Sequence, residues 1–391
     1  MQYLTLLLAV TLSVCCTLGS AVERESTVPE GVIKLPLRSR VLSDDKFRKR
    51  SSASCKPPGY EAAVEIGTPR QPLWLPIGLS SNNLWTTPLC TFYEEYYSGR
   101  NYTGKDCSDT QAGLYNPHGS STSRNVSTAF LTAEREMFLR LWAFEDDVWI
   151  DGHRIQKAQF GLNQKPGDDL SVGSLELGLS IPRGRGRHDG VLGGLLSSGD
   201  IQNLTFSLSI GAAMTQNEGA IGEGELVFGG VDIRKNHGEL HRLPLSSIWE
   251  TAFGLSYCVE LNTILFLTTS KSQSLTLTGP EDVFGACLDT TSTFTELPDA
   301  PFHRLLEFFP EAELAGDNLY SVPCQYANIV AHVRFGFGDG VYIDVPYGEL
   351  VLQPNRFTED GPGYCVLGIT RSRSTGYARL GETFLRSATA L

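Results

Sequence analysis

The stretch Cys287-Leu-Asp-Thr-Thr-Ser-Thr-Phe-Thr-Glu-Leu-Pro298 carries an aspartate at its turn, with hydroxyl residues directly behind it. An earlier stretch has the same grammar: in Pro76-Ile-Gly-Leu-Ser-Ser-Asn-Asn-Leu-Trp85 an apolar run turns through small polar residues and ends on a large aromatic. Gly78 stands at the turn there, 211 residues before Asp289 and eleven past the start of Gly67-Thr-Pro-Arg-Gln71. Two such loops would present two carboxyl groups at the mouth of a β-rich cleft. Carboxylates about 3 Å apart cannot both be ionised, so they share a proton. The ionised member then activates a water while the protonated one polarises a carbonyl. The loop residues around that chemistry are Leu79, Ser80 and Ser81 on one side and Thr290, Thr291 and Ser292 on the other. Asp289 is the candidate catalytic residue of the second stretch, and Gly78 stands at the matching place of the first.

The elements that must hold these loops are strands. With 40 Gly, 20 Pro and 41 % hydrophobic residues in 391, the chain reads as an all-β globular protein with many turns. From Tyr60 onward, short apolar runs such as Tyr60-Glu-Ala-Ala-Val-Glu-Ile66 and Leu73-Trp-Leu-Pro-Ile77 alternate with turn residues. Strands are expected again at Ala129-Phe-Leu131, Met137–Trp142 and Asp147–Ile150, and throughout Tyr257–Leu277. Residues 90–127 read as surface loops, and the strongest helix is Pro301–Phe309, with proline in its first turn. The halves exchange near Leu243–Ile248, which gives an N-terminal unit of 51–245 and a C-terminal unit of 246–391.

Residues 1–20 read as a cleaved signal peptide, an apolar run followed by Gly19-Ser20-Ala21; an uncleaved signal anchor is the alternative. No other stretch reaches the roughly 20 apolar residues that span a bilayer, so no stable membrane anchor is expected. Residues 21–50 hold eight Lys/Arg and five Asp/Glu and end in Arg48-Lys49-Arg50, which reads as a propeptide with a basic cleavage site, or as a disordered basic arm. The remainder carries −15 of the chain's net −12, so a basic prosegment and an acidic body would attract. That acidity argues against nucleic-acid binding.

Seven cysteines lie outside the leader, and in a secreted protein most should be bridged. Spacing favours Cys90–Cys107 and Cys324–Cys365, with Cys258–Cys287 a third candidate and Cys55 the odd residue. No zinc pattern is present, so no metal or other cofactor is expected. Sequons at Asn101, Asn125 and Asn203 fit glycosylation. The seven histidines are scattered without a nucleophile partner, Gly336-Phe-Gly-Asp-Gly340 reads as a hairpin turn, Arg183–Arg187 as a solvated loop, and Trp85 and Trp142 as packing residues.

The chain resembles the pepsin-like aspartic peptidases of secreted fungal type. The likeness runs from about Tyr60 to Ser387 and rests on Gly67-Thr-Pro-x-Gln71, Ser80–Trp85, Asp189-Gly-Val-Leu-Gly193, Phe228–Asp232 with Gly238-Glu-Leu240, Asp289-Thr290 with Leu297-Pro298, and Leu380–Ser387, in family order. It implies a bilobal pepsin-like fold, a cleft between the lobes that takes a peptide or protein ligand, one aspartate from each lobe, and a monomer. Against that pattern Gly78 replaces the first aspartate, Leu79 and Ser80 replace a hydroxyl residue and a glycine, and Thr291 replaces a glycine. The flap near Ala129–Phe144 lacks a Tyr-Gly pair, Arg379 fills an apolar slot, and the chain stops at Leu391, which reads as a truncated C-terminal lobe.

Asp44, Asp45 and Glu65 are poor substitutes for the missing carboxylate, by location or orientation. The leading expectation is therefore a secreted, catalytically inactive pseudopeptidase that binds through its cleft or loops. The alternative is an active acid endopeptidase using Asp289 and an unrecognised partner, and a third is a truncated chain that does not fold stably.

Overall fold

A computed structural model describes residues 5–10, 30–39, 59–89, 114–134, 137–164, 173–179, 190–211, 224–233, 237–246, 257–268, 273–279, 282–316, 318–338, 340–352, 363–372 and 376–390. Cys55, Cys90, Cys107, Asn101, Asp44, Asp45, Arg48–Arg50 and Arg183–Arg187 lie outside the described residues.

The alternation seen in the sequence becomes strands of three sheets. In Tyr60–Ile66 the residues Ala62, Val64 and Ile66 are buried, and Leu73, Leu75 and Ile77 of the antiparallel partner Gln71–Gly78 bury with them. These two strands sit inside a thirteen-stranded sheet that ends with the long ribbon Arg124–Glu134, Met137–Ile150 and His153–Asn163. The later strands form an eight-stranded sheet running from Cys258–Thr268 to Tyr377–Leu380, and a small four-stranded sheet beside it. Among the described residues, every strand up to His237–Pro244 belongs to the first sheet; of the strands from Cys258 onward only Ala388–Ala390 returns to it.

Both halves repeat one motif around their turn. In the first half Gln71–Gly78 runs parallel to Gly173–Glu176, which pairs antiparallel with Leu84–Thr86. In the second, Phe284–Leu288 runs parallel to Tyr377–Leu380, which pairs antiparallel with Thr295–Leu297. Ile77 pairs with Leu175 and Gly78 with Glu176. Leu288 pairs with Leu380, the Asp289 amide donates to the Leu380 carbonyl at 3.0 Å, and the same register continued one step would set Asp289 against Gly381. The duplication expected from the two similar stretches therefore extends to a third strand in each half, which the sequence reading did not identify.

Two segments read as parts removed from the mature protein form strands. Thr5–Val10 pairs with His237–Pro244 and Ala388–Ala390. Ile33–Ser39 is an interior strand between Gly224–Phe228 and Tyr60–Ile66, with Ile33, Leu35 and Leu37 buried. Lys34 Nζ meets Asp232 at 2.6 Å, Arg38 meets Glu61 at 2.9 Å, and the Arg38 guanidinium lies 3.8 Å from the Trp74 ring centre. The strand is thus held by both apolar and ionic contacts.

The helix expected at Pro301–Phe309 spans Asp299–Leu306, with Phe302 and Leu305 in the core. Gly336–Gly340 lies at a hairpin between Ala331–Phe337 and Val341–Pro346. Trp85 is fully buried and Trp142 nearly so, as packing residues should be. Cys324 bridges Cys365, and Cys258 bridges Cys287 across paired strands. Asn203 is exposed, and so is Asn125 on the Arg124–Glu134 strand.

Candidate active site

Asp289 follows directly on a buried strand end, and its carboxylate is held by the residue two positions on. Its Oδ1 accepts from the Thr291 amide at 2.8 Å and the Thr291 hydroxyl at 2.6 Å. Asp289 is 7 % exposed, so both bonds act in a low-dielectric setting that strengthens them. Thr291, which replaces a glycine of the resemblance, therefore adds a hydrogen bond to the carboxylate. On the other oxygen, Arg379 Nε lies 3.6 Å from Oδ2, and Arg379 Nη1 lies 3.8 Å from Glu296. Arg379, read as filling an apolar slot, lies beside two carboxylates that partly offset its buried charge.

The loop of Gly78 faces this arrangement. Thr290 donates its hydroxyl to the Ile77 carbonyl at 2.6 Å, joining the residue after Asp289 to the residue before Gly78. Leu79 offers no hydroxyl in return and is buried in the core, so the tie is one-sided. Tyr257 adds a second link. Its hydroxyl donates to the Leu177 carbonyl at 2.8 Å, and its own carbonyl accepts from the Leu288 amide at 3.0 Å. Burial pushes the Tyr257 hydroxyl well above the usual tyrosine range, so it stays protonated and able to donate. Ser292 is turned into its own loop, donating to the Phe294 carbonyl, and its backbone carbonyl accepts from the Glu382 amide.

Residue 78 has no side chain, yet its side-chain space is filled. A Cβ placed there would lie 2.1 Å from Oε1 of Glu176, 2.4 Å from its carboxyl carbon and 2.6 Å from Oε2. Glu176 Oε2 accepts from the backbone amides of Ser80 and Ser81, each at 3.0 Å. Ser174 lies with its hydroxyl 2.8 Å from Oε1 and 3.3 Å from the Pro76 carbonyl. Glu176 is 3 % exposed. The reading that only Asp44, Asp45 and Glu65 could be weighed as substitutes is thus incomplete. Glu65 pairs with Arg70 at the surface, whereas Glu176 lies against Gly78. One signal pointed to it in the sequence, a lone acid inside the apolar run Gly173-Ser-Leu-Glu-Leu-Gly-Leu179.

Residues 59–391 match the model of a family described as eukaryotic aspartyl protease. The chain belongs to the eukaryotic aspartyl protease family. Among its relatives, Secreted aspartic protease 8 of Candida albicans is 28 % identical over 335 residues, which cover 85 % of this chain and 73 % of the relative. The probable aspartic-type endopeptidase opsB of Aspergillus fumigatus is 25 % identical over 406 residues, covering 96 % and 78 %. The crystal structure of an aspartic proteinase from Irpex lacteus shares the fold, with a TM-score of 0.63 at 17 % identity over 92 % of this chain and 96 % of that one.

Within this aspartyl protease chain, the markers fall in different places. Gly67 to Gln71 turns between Tyr60–Ile66 and Gln71–Gly78, as a tight connection should. Val191, Leu192 and Gly193 of the Asp189–Gly193 marker open the helix Gly190–Ser198, while the strand against the Gly78 loop is Gly173–Glu176. Gly381 sits where a side chain would strike the Phe294 carbonyl oxygen at 2.2 Å, which accounts for glycine in that marker. The flap stretch lies on the hairpin of Arg124–Glu134 and Met137–Ile150. Among the described residues no helix is long and apolar enough to cross a membrane.

Proposed function

We propose that this chain is a secreted acid endopeptidase of the aspartic type, which binds an extended peptide between its two halves and hydrolyses it with a water held by two carboxyl groups. Secretion is supported by its likeness to proteins named as secreted aspartic proteases. One observation carries the reading. Two buried carboxylates, Asp289 and Glu176, flank the Thr290–Ile77 tie, so the loss of a side chain at residue 78 has not emptied the site of a second acid. A pair that holds one proton between them supplies both the base and the acid that peptide hydrolysis needs.

The test is cleavage of an unfolded protein substrate by the processed protein at acid pH, with and without a peptide transition-state inhibitor. Inhibitor-sensitive cleavage that disappears in Asp289→Asn is the expected result, and no cleavage by the folded protein would refute the reading.

A second reading, the non-catalytic binding protein expected from the sequence, is favoured by Gly78 itself and by Arg379 lying against Asp289. It predicts that the inhibitor-like peptide binds while no substrate is cut.

A further inference from the structure

The two halves of this chain place the same pair of residues on opposite strands. In the second half the turn residue Asp289 bears the carboxylate and donates its amide to Leu380, and the residue one step past the Leu288–Leu380 pair is Gly381. In the first half the turn residue is Gly78, and its parallel neighbour is Glu176. Carboxylate and glycine have changed places across the strand pair.

The hydrogen bonds follow the carboxylate rather than the strand. Asp289 takes the amide of Thr291, two residues beyond its own position. Glu176 takes the amide of Ser80, two residues beyond Gly78, and that of Ser81 as well. Its carboxyl group also overlaps the Cβ that an aspartate at 78 would carry. A longer side chain reaching from the neighbouring strand therefore brings its carboxyl to the side-chain space of residue 78. Gly78 is the condition for this, because any side chain there would displace the glutamate.

We propose that Glu176 is the second catalytic residue of this chain, a carboxyl relocated from the Gly78 loop to the adjacent strand, acting with Asp289 on a peptide bond. This assignment rests on the acid-peptidase reading above. Asp289, with Arg379 Nε 3.6 Å from its Oδ2, is assigned the role of base. Glu176 is assigned the role of acid, from a carboxyl whose Oε1 accepts from the Ser174 hydroxyl at 2.8 Å and whose Oε2 accepts from the amides of Ser80 and Ser81. In the reaction a water oxygen bonds to the scissile carbonyl carbon as Asp289 takes one water proton and Glu176 gives its proton to the carbonyl oxygen. The carbon–nitrogen bond then breaks. The amine leaves with the proton from Asp289, one hydroxyl of the tetrahedral carbon returns its proton to Glu176, and the net change is the addition of one water across the bond.

The experiment compares four full-length proteins on an unfolded protein substrate and a fluorogenic peptide at acid pH: the wild type, Glu176→Gln, Asp289→Asn, and the exchange Gly78→Asp with Glu176→Gly. Glutamine keeps the volume and an acceptor for the two amides, and circular dichroism confirms that each variant is folded. The expected result is a fall in kcat of about 100-fold or more in both single variants, with KM changed only a few-fold, as loss of a proton-transfer group produces. The exchange, which restores an aspartate at 78 and a glycine at 176, should retain kcat within about tenfold of the wild type, a difference of one 1.4 kcal/mol step. Cleavage that survives Glu176→Gln but is lost in Asp289→Asn would overturn the assignment of Glu176 and leave the peptidase reading standing. A folded wild type that cuts neither substrate would overturn both.

Discussion

Returning the carboxylate to residue 78 without removing Glu176 should be severely destabilising, and making both changes at once should not be. In Gly78→Asp the new Cβ would fall 2.1 Å from Glu176 Oε1, where real contacts stay above about 3 Å. Glu176 must then leave the amides of Ser80 and Ser81 and the hydroxyl of Ser174. Overpacking costs about 1–3 kcal/mol, and a displaced buried carboxyl that loses its donors adds about 1–3 kcal/mol. The single change should therefore cost about 3–5 kcal/mol. Glu176→Gly leaves two amide groups without their acceptor, at about 1–3 kcal/mol each, so about 3 kcal/mol is expected. In the double variant an aspartate at 78 can take the Ser80 amide, as Asp289 takes that of Thr291. The double should lie within about 1–2 kcal/mol of the wild type, whereas the two single changes predict about 7. The assay is a double-mutant cycle by urea unfolding, read by tryptophan fluorescence and circular dichroism with m-values compared. Additivity within about 0.5 kcal/mol, the behaviour of independent sites, would refute the idea that the two positions share one carboxyl space.

Three further outcomes follow from other parts of the molecule. Arg379→Met should cost about 3–5 kcal/mol in chemical denaturation, because it leaves Asp289 and Glu296 without their cation in a largely buried place; an unchanged midpoint would show that the guanidinium is not matched to them. Leu35→Asp should abolish cooperative unfolding or lower the midpoint sharply, since Leu35 is 3 % exposed on an interior strand, and a thermal melt at wild-type temperature would contradict that strand's place in the sheet. Burial, partly offset by Arg386, raises the Tyr60 hydroxyl to about 12. Because the folded value is the higher one, its contribution is whole below about pH 10 and is lost as pH rises from there towards 12, amounting to about 3 kcal/mol at most. Unfolding curves of the wild type should thus fall more steeply over that window than those of Tyr60→Phe, and parallel curves would disprove it.

Much of the fold was readable along the chain. Period-two burial in Tyr60–Ile66 and Gln71–Gly78 follows from side chains alternating across a pleated strand, and the helix at Asp299–Leu306 from apolar residues three to four apart. The pairing of Cys324 with Cys365 was among the favoured ones. Arg379 was seen only as a misfit, because the register that sets it opposite Glu296 and beside Cys287 joins strands some 80 to 90 residues apart. The residues 21–50 read as a basic segment by charge count, which is blind to Ile33, Leu35 and Leu37 pointing to one face of a strand.

By itself the sequence determined that residue 78 is a glycine where Asp289 has its counterpart, because position along two similar stretches is a matter of counting. It determined the β-rich architecture, because alternation is a local property of neighbouring side chains. What only the tertiary structure decided is which residue fills the space that Gly78 leaves. Glu176 comes to it through a parallel pairing between strands 98 residues apart, and parallel strands need a long crossover that leaves no signature near either one. The missing carboxylate is a fact of one position, while the carboxylate found in its place is a fact of register.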